Sequence, residues 1–312
     1  MRVMVTGGAG FIGSGIVASL LEQGHEVCVV DNLDPRGGGR RSHVPQSVRF
    51  EAIDICDSER LLAAIRSFSP DAISHQAAQT SVARSAREPA FDASVNVVGT
   101  VNVLEAAAAS GVRRVVFASS AATYGNVEHL PIDESTPQRP ISPYGMTKLI
   151  AEGYLRFFAR ERGLEFTILR YGNVYGPRQN PRGEGGVVAI FTSRFLAGET
   201  VQINGDGNQT RDFVYAGDVA RANVNALEDG RNDDFVIGTG ARTSVNEIYA
   251  ALARITGKEP TTEYAPRRPT DALESCFNPA KAQRLLNWRA RTPLDEGLSQ
   301  TVSFYAASAA VR

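Results

Sequence analysis

The sequence predicts an α/β fold: a Rossmann-type, doubly wound parallel sheet followed by a smaller C-terminal lobe. Three observations carry this expectation. Short apolar runs alternate with helical stretches through the first half of the 312 residues, as βαβ units require. The apolar runs are nearly continuous, which suits strands buried on both faces. The first of them feeds directly into a glycine-rich turn that opens a helix.

Val3-Met4-Val5 reads as the first strand, with an amphipathic helix from Ile12 to Leu21 after it. Glu26 to Val30 is the second strand and Val48 to Ile53 the third, with a helix around Leu61 to Ile65. Ala72-Ile73-Ser74 gives a fourth strand, followed by one long helix from about Phe91 to Ala109. Arg114 to Phe117 is the fifth strand and Phe166 to Leu169 the sixth, separated by a helix from Pro143 to Arg162. After Tyr171 glycine, proline and arginine become frequent and the alternation weakens. The expected division is therefore 1–171 as the dinucleotide-binding domain and 172–312 mainly as a substrate lobe, with later segments returning to the first.

Bulk properties narrow the partners. A net charge of −1 with 43% hydrophobic and 21% charged residues gives no basic surface for nucleic acid or an anionic membrane. No apolar run reaches bilayer length, and with Met1 to Thr6 reading as a strand a secretory signal is not expected. Cys28, Cys56 and Cys276 are scattered without metal-ligand spacing, so each is expected to be a small buried hydrophobe. The four histidines do not cluster, and no metal site is expected. A reducing cytoplasm fits these features.

Thr6-Gly7-Gly8-Ala9-Gly10-Phe11-Ile12-Gly13 sets glycines at GxxGxxG between strand and helix. Glycine allows the tight turn and close backbone approach to a pyrophosphate, which the helix N-terminus then attracts. Asp31 ends the second strand. A carboxylate there accepts hydrogen bonds from both adenosine ribose hydroxyls and repels a 2′-phosphate, which favours NAD over NADP. Arg36, Arg40 and Arg41 follow closely and complicate that preference. Asp54 and Ile55 end the third strand and either bracket the adenine or begin a helix cap.

Tyr144 and Lys148 form a YxxxK pair on one helix face, just inside Ser142-Pro143. A lysine ammonium favours the phenolate; bringing a phenol from near 10 towards 7 takes roughly 4 kcal/mol. Such a tyrosine serves as general base on an alcohol. Phe117 to Gly125, rich in hydroxyls, follows the fifth strand, where ligands of parallel sheets bind. Ser120 is the expected hydrogen-bond partner of the reacting oxygen.

With TGGAGFIG, the hydroxyl segment and YxxxK in order, the chain resembles extended short-chain dehydrogenases/reductases of the NAD-dependent epimerase/dehydratase family. Within that family it is most similar to UDP-glucose 4-epimerases. His75 to Gln79, Asn96 to Thr100, Arg170 to Arg178 and Gly205 to Val214 extend the likeness over nearly the whole chain. The resemblance implies Ser120, Tyr144 and Lys148 as catalytic residues. It implies NAD held by Gly7, Gly10, Phe11, Ile12, Gly13, Asp31, Asn32, Asp54, Ile55, Ala77, Asn96, Tyr144, Lys148 and Tyr171. The UDP-sugar would meet Ser120, Asn173, Val188, Arg211, Arg268, Asp271 and Ser275, with the two arginines gripping the diphosphate. Where the family's motif has glycine before the acid, this chain has Thr270, so that loop differs. Two helices, from Phe91 and Pro143, resemble those that pair into a four-helix homodimer interface.

The resemblance also separates reactions. Dehydratases have Asp-Glu, and decarboxylases a glutamate, at positions held here by Ala121-Ala122. Alanines exchange no proton, which disfavours both. What remains is 4-epimerisation of UDP-glucose and UDP-galactose by transient oxidation to a 4-keto sugar. Ser275, at a position where a bulky residue narrows the family's pocket, leaves room for the N-acetyl sugars, unless it is simply a loop residue. UDP-glucuronate 4-epimerisation, 4-keto-sugar reduction and a non-catalytic dinucleotide-sensing role stand as alternatives. The last conflicts with the retained Tyr/Lys pair.

Overall fold

The computed structural model describes residues 1–182, 186–266 and 274–310. In chain order the strands are β1 (Arg2–Thr6), β2 (Glu26–Val30), β3 (Arg49–Glu51), β4 (Ala72–His75), β5 (Arg114–Ser120), β6 (Glu165–Tyr171), β7 (Asn173–Tyr175), β8 (Val201–Asn204), β9 (Thr210–Arg211), β10 (Phe213–Tyr215), β11 (Asp233–Ile237), β12 (Thr243–Ser244) and β13 (Thr262–Ala265). The helices are α1 (Phe11–Glu22), α2 (Ser58–Phe68), α3 (Val82–Arg87), α4 (Pro89–Ala93), α5 (Gly99–Ala109), α6 (Pro143–Arg162), α7 (Val187–Ala197), α8 (Ala216–Asn225), α9 (Val245–Thr256), α10 (Ala280–Leu285) and α11 (Leu294–Ala310).

Seven strands form one parallel sheet in the order β11-β6-β5-β4-β1-β2-β3. The order reverses between β1 and β4, and a crevice at such a switch point is where an open α/β sheet binds its ligand. Because side chains alternate along each strand, β1 sends Val3 and Val5 to one core and Met4 to the other. The first core takes in Ile16, Val17 and Leu20 of α1 with Val219 and Ala220 of α8. The second takes in Leu61 and Ile65 of α2, Val103 and Leu104 of α5, and Leu155 of α6. Burying each such aliphatic side chain is worth about 1.5–3 kcal/mol. A third core, with Val188, Phe191, Phe195, Ile203 and Leu252, lies among the later elements.

The expected fold class is the observed one, and two local expectations change. The seventh strand, β11, was not foreseen; it enters from α8 and pairs with β6 from Asp233↔Thr167 to Ile237↔Tyr171. The expected long helix is instead α4, a π turn over Ser94–Val98, and α5. The wider turn sends Asn96 inward, where it is buried; such bulges concentrate at functional sites.

Helix α6 has the bounds its sequence predicts, because its caps are local. Ser142 Oγ accepts from the Gly145 amide at 3.1 Å, Pro143 takes the first position, and Gly163 closes the helix at φ +68°. No helix among the described residues is long and apolar enough to cross a membrane. The three cysteines are unpaired; Cys28 and Cys276 are buried as expected, but Cys56 is exposed. It sits in the loop after β3, where Asp54 Oδ1 accepts from its amide at 2.8 Å.

Candidate active site at the sheet switch point

The glycine turn is built for close approach. Gly7 has φ +68°, and a Cβ there would lie 2.7 Å from the Ala77 amide nitrogen. A Cβ on Gly13 would meet Gly7 O at 2.2 Å, so only glycine lets α1 start this near the end of β1. Gly10 is the N-cap of α1 and offers no side chain to its amides, which leaves that helix end available to an anion. Phe11 and Ile12 open the helix, and Ile12 packs on the first core.

Asp31 carries one oxygen to the Ala9 amide at 3.0 Å and the other to the Leu33 amide at 2.8 Å. Burial raises its pKa, against the pull of those two amides. Each oxygen keeps acceptor capacity for a hydroxyl. Arg36 is held by Asp34 at 3.0 Å, and Arg41 donates to Val44 O at 2.7 Å, so both are drawn to protein partners. Asn32 donates to Asp54 at 2.8 Å. The helix cap that Asp54 was offered as an alternative belongs instead to Asp57, which accepts from the Arg60 amide at 3.1 Å. Ile55 is buried against Gly99. These groups fit a dinucleotide with a free 2′-hydroxyl.

Ser120, Tyr144 and Lys148 converge at the carboxyl end of β5. Gly145 makes this possible, since a Cβ there would stand 2.4 Å from Ala122 O; α6 can touch the turn after β5 only at a glycine. The Ser120 hydroxyl stands on the Tyr144 phenol's side of the turn, where it favours the phenolate, and it accepts from the Ala122 amide at 3.1 Å. Lys148 is 4% exposed. Its Nζ donates to Ala118 O at 2.9 Å and lies 6.0 Å from the centre of the Tyr144 ring.

The electrostatics of the protein alone do not yet favour the phenolate. Burial pushes Tyr144 up to about 12, against the Ser120 hydrogen bond, and the Asp92 carboxylate adds to the rise. Burial likewise brings Lys148 down to about 8, opposed by Asp92 and Glu152. Desolvation penalises both charged forms. The protein alone therefore keeps the phenol protonated at neutral pH while Lys148 stays largely charged, and activation needs further positive charge within the cleft.

A polar framework that sequence reasoning missed supports the pair. Asp92, fully buried, accepts from Gln79 at 2.7 Å, Asn96 at 3.0 Å and Thr147 at 2.8 Å. Asn96 also clamps Gln79, accepting from its amide at 2.8 Å and donating to its carbonyl at 3.0 Å. Behind β5, Glu152 takes Ser119 Oγ at 2.6 Å and Arg170 Nη2 at 2.7 Å. Nothing in the local pattern signals that Glu152 and Arg170 meet, for they come from different elements. His75 is a core imidazole: Thr100 gives its proton to Asn96 O, so His75 Nε2 donates to Thr100 at 3.0 Å and Nδ1 accepts from Thr6 at 2.7 Å.

Ala77 donates its amide to Thr6 Oγ1 at 3.3 Å, directly beside the glycine turn. Tyr171 is buried; its hydroxyl donates to Gln76 at 3.2 Å and accepts from Asn223 at 2.8 Å. Asn173 begins β7 with its side chain exposed. Val188 lies buried in α7. Arg211 donates to Thr210 O at 2.8 Å, and the Ser275 amide donates to the same oxygen at 3.1 Å. Among the described residues the buried Ser275 hydroxyl has no hydrogen-bond partner. Arg268 and Asp271, with Thr270, lie outside the described residues. Among the described residues no group of His, Cys, Asp or Glu is arranged to hold a metal ion.

The model of the NAD dependent epimerase/dehydratase family matches residues 3–238. A UDP-glucose 4-epimerase of Mycolicibacterium smegmatis is 42% identical, with 98% of each chain covered. The solved UDP-glucose 4-epimerase of Thermotoga maritima with UDP-glucose superposes at a TM-score of 0.96 with 46% identity, covering 99% of this chain and 100% of that one. The Thermus thermophilus UDP-glucose 4-epimerase, solved with NAD, gives 0.93 and 44% over 99% and 100%. Matched by that model over residues 3–238 and sharing over two-fifths identity with these proteins along nearly its full length, the chain belongs to the NAD-dependent epimerase/dehydratase family.

Proposed function

We propose that the protein interconverts UDP-hexoses at C4, UDP-glucose and UDP-galactose foremost, using NAD that stays bound through the cycle. One observation carries this reading: a serine, a buried lysine and a tyrosine meet at the sheet's ligand edge beside a dinucleotide cradle, with alanines at 121 and 122. When bound, NAD supplies the hydride acceptor and donor. Tyr144 Oη takes the proton of the C4 hydroxyl and later returns it. The Ser120 hydroxyl bridges that oxygen and the phenol, and Lys148 stabilises the phenolate. The 4-keto sugar turns about its diphosphate anchor, so either face meets the same acid–base pair.

Residues 1–171, joined by α8 and β11, would carry the cofactor, and the rest of 172–312 mainly the nucleotide sugar. Asp31 would hold the adenosine ribose. Asn173, Arg211 and Arg268 would meet the diphosphate, Asp271 the uridine ribose and Val188 the uracil side. Ser275, small and with a hydroxyl that finds no partner among the described residues, would admit a 2-acetamido group. The test is chromatography of sugar nucleotides with the purified protein: interconversion without net NADH change is expected. Net cofactor consumption would point to the reductase instead, and no conversion of any UDP-sugar would sink the proposal. Ser275→Tyr should suppress the N-acetyl substrates selectively.

A homodimer is the assembly we favour. Met146, Ile150, Tyr154 and Phe157 line one exposed face of α6, with Val98 exposed nearby at the start of α5. Such a stripe is what a helix pair buries between copies. Light scattering on the purified protein would decide it. A cytoplasmic location agrees with three unpaired cysteines.

A further inference from the structure

Arg178 stands out as a half-buried cation without an anion. It follows β7 in the turn Gly176-Pro177-Arg178 and adopts φ +69°, a left-handed backbone rare outside glycine, asparagine and aspartate. Among the described residues its guanidinium has no hydrogen bond or ion pair. Burial lowers its pKa and no carboxylate offsets that. The buried arginines are matched: Arg114 by Glu165 and Arg170 by Glu152. Strain plus an unpaired, partly desolvated charge is a combination that persists where a ligand completes the site.

Its neighbours say which site. Arg178 and Arg40 both depress the proton affinity of His43. The His43 ring is fixed at 2.9 Å to Ala9 O, within the glycine turn. Two residues on, Asn180 lies against Gly38, 3.1 Å from where its Cβ would be, and Gln179 O accepts from the Tyr305 hydroxyl of α11. The segment 176–180 is thus held between α11 and the loop that follows β2. Through His43, whose ring sits on Ala9 O, it borders the glycine turn that opens α1.

We propose that Arg178 pairs with the pyrophosphate of the bound dinucleotide, closing the cradle from outside and retaining the cofactor between turnovers. The assignment rests on the NAD reading of the glycine turn. A guanidinium presents two parallel donors to phosphate oxygens, and it would complement the amides of α1 on the opposite side of the anion.

The test is calorimetric titration of the full chain, freed of cofactor, with NAD+ and separately with adenosine. Arg178→Gly removes the cation while suiting the left-handed backbone, so the melting temperature without ligand should hold or rise. Its Kd for NAD+ should increase roughly ten- to a hundredfold, as loss of a charge-assisted contact predicts. The salt dependence of binding should weaken, and adenosine affinity should not change. Arg178→Lys should recover part of the loss. Wild-type NAD+ affinity and salt dependence in Arg178→Gly would overturn the proposal alone. Equal loss for NAD+ and adenosine would overturn it too, marking a general collapse of the pocket. If the unsubstituted protein binds no NAD+, the reading of the glycine turn falls, and the proposal with it.

Discussion

Replacing Lys148 by methionine separates the electrostatic part of the active site from its shape. The ammonium lies 6.0 Å from the Tyr144 ring centre, in a site 4% exposed. At that distance and an effective dielectric near 20, a unit charge favours the phenolate by about 3 kcal/mol. That is a hundredfold in the phenolate population at fixed pH. Lys148→Met should therefore lose about two orders of magnitude in kcat at pH 7. Lys148 titrates at about 8, so above that pH the wild type forfeits the same help and the two pH–rate profiles should converge. A loss that stays constant from pH 6 to pH 10 would refute the electrostatic role and assign the lysine to ligand positioning. The same substitution should stabilise the fold. Burial holds the folded pKa below its ordinary 10.5, so wild-type stability falls as pH drops from 10.5 to 8, and the full penalty is present at pH 7. Lys148→Met should gain up to about 3 kcal/mol there in urea denaturation, shrinking towards pH 10.

Three further outcomes follow from the geometry. Gly145→Ala puts a Cβ 2.4 Å from Ala122 O and must push α6 off the turn; kcat should fall on the order of a hundredfold, whereas Gly153→Ala, with nothing within 4 Å, should leave kcat intact. Glu152→Gln breaks the buried pair with Arg170 at 2.7 Å and should cost about 3–5 kcal/mol in denaturant unfolding, part of it recovered by adding Arg170→Met. Burial brings His75 down to about 3 from 6.5, so as pH falls below 6.5 the unfolded chain binds a proton that the folded one refuses. Stability should drop by about 3 kcal/mol between pH 7 and pH 4 from this group, and His75→Gln should show a shallower acid decline, measured by urea unfolding at both pH values.

Much of this protein is decided by contacts short enough to be written in its sequence. The glycine turn is legible because close backbone approach restricts Gly7 and Gly13 to glycine within an eight-residue segment. Helix α6 is legible because Ser142-Pro143 and Gly163 cap it locally, and Tyr144 and Lys148 share a face by helical spacing alone. Strands β1, β2, β4, β5 and β6 announce themselves as largely apolar runs, since both faces of the sheet are covered there, whereas the edge strand β3 is shorter and more exposed. What the sequence could not show depends on pairs far apart in the chain. Strand β11 is defined by its ladder with β6, and Glu152 meets Arg170 and Ser119 only after β5, β6 and α6 have packed. The phenol's rise to about 12 and the unpaired guanidinium of Arg178 likewise arise from how much water packing removes. Local spacing sets which groups can cooperate; the dielectric around them, and hence their charge, exists only once the chain has closed over them.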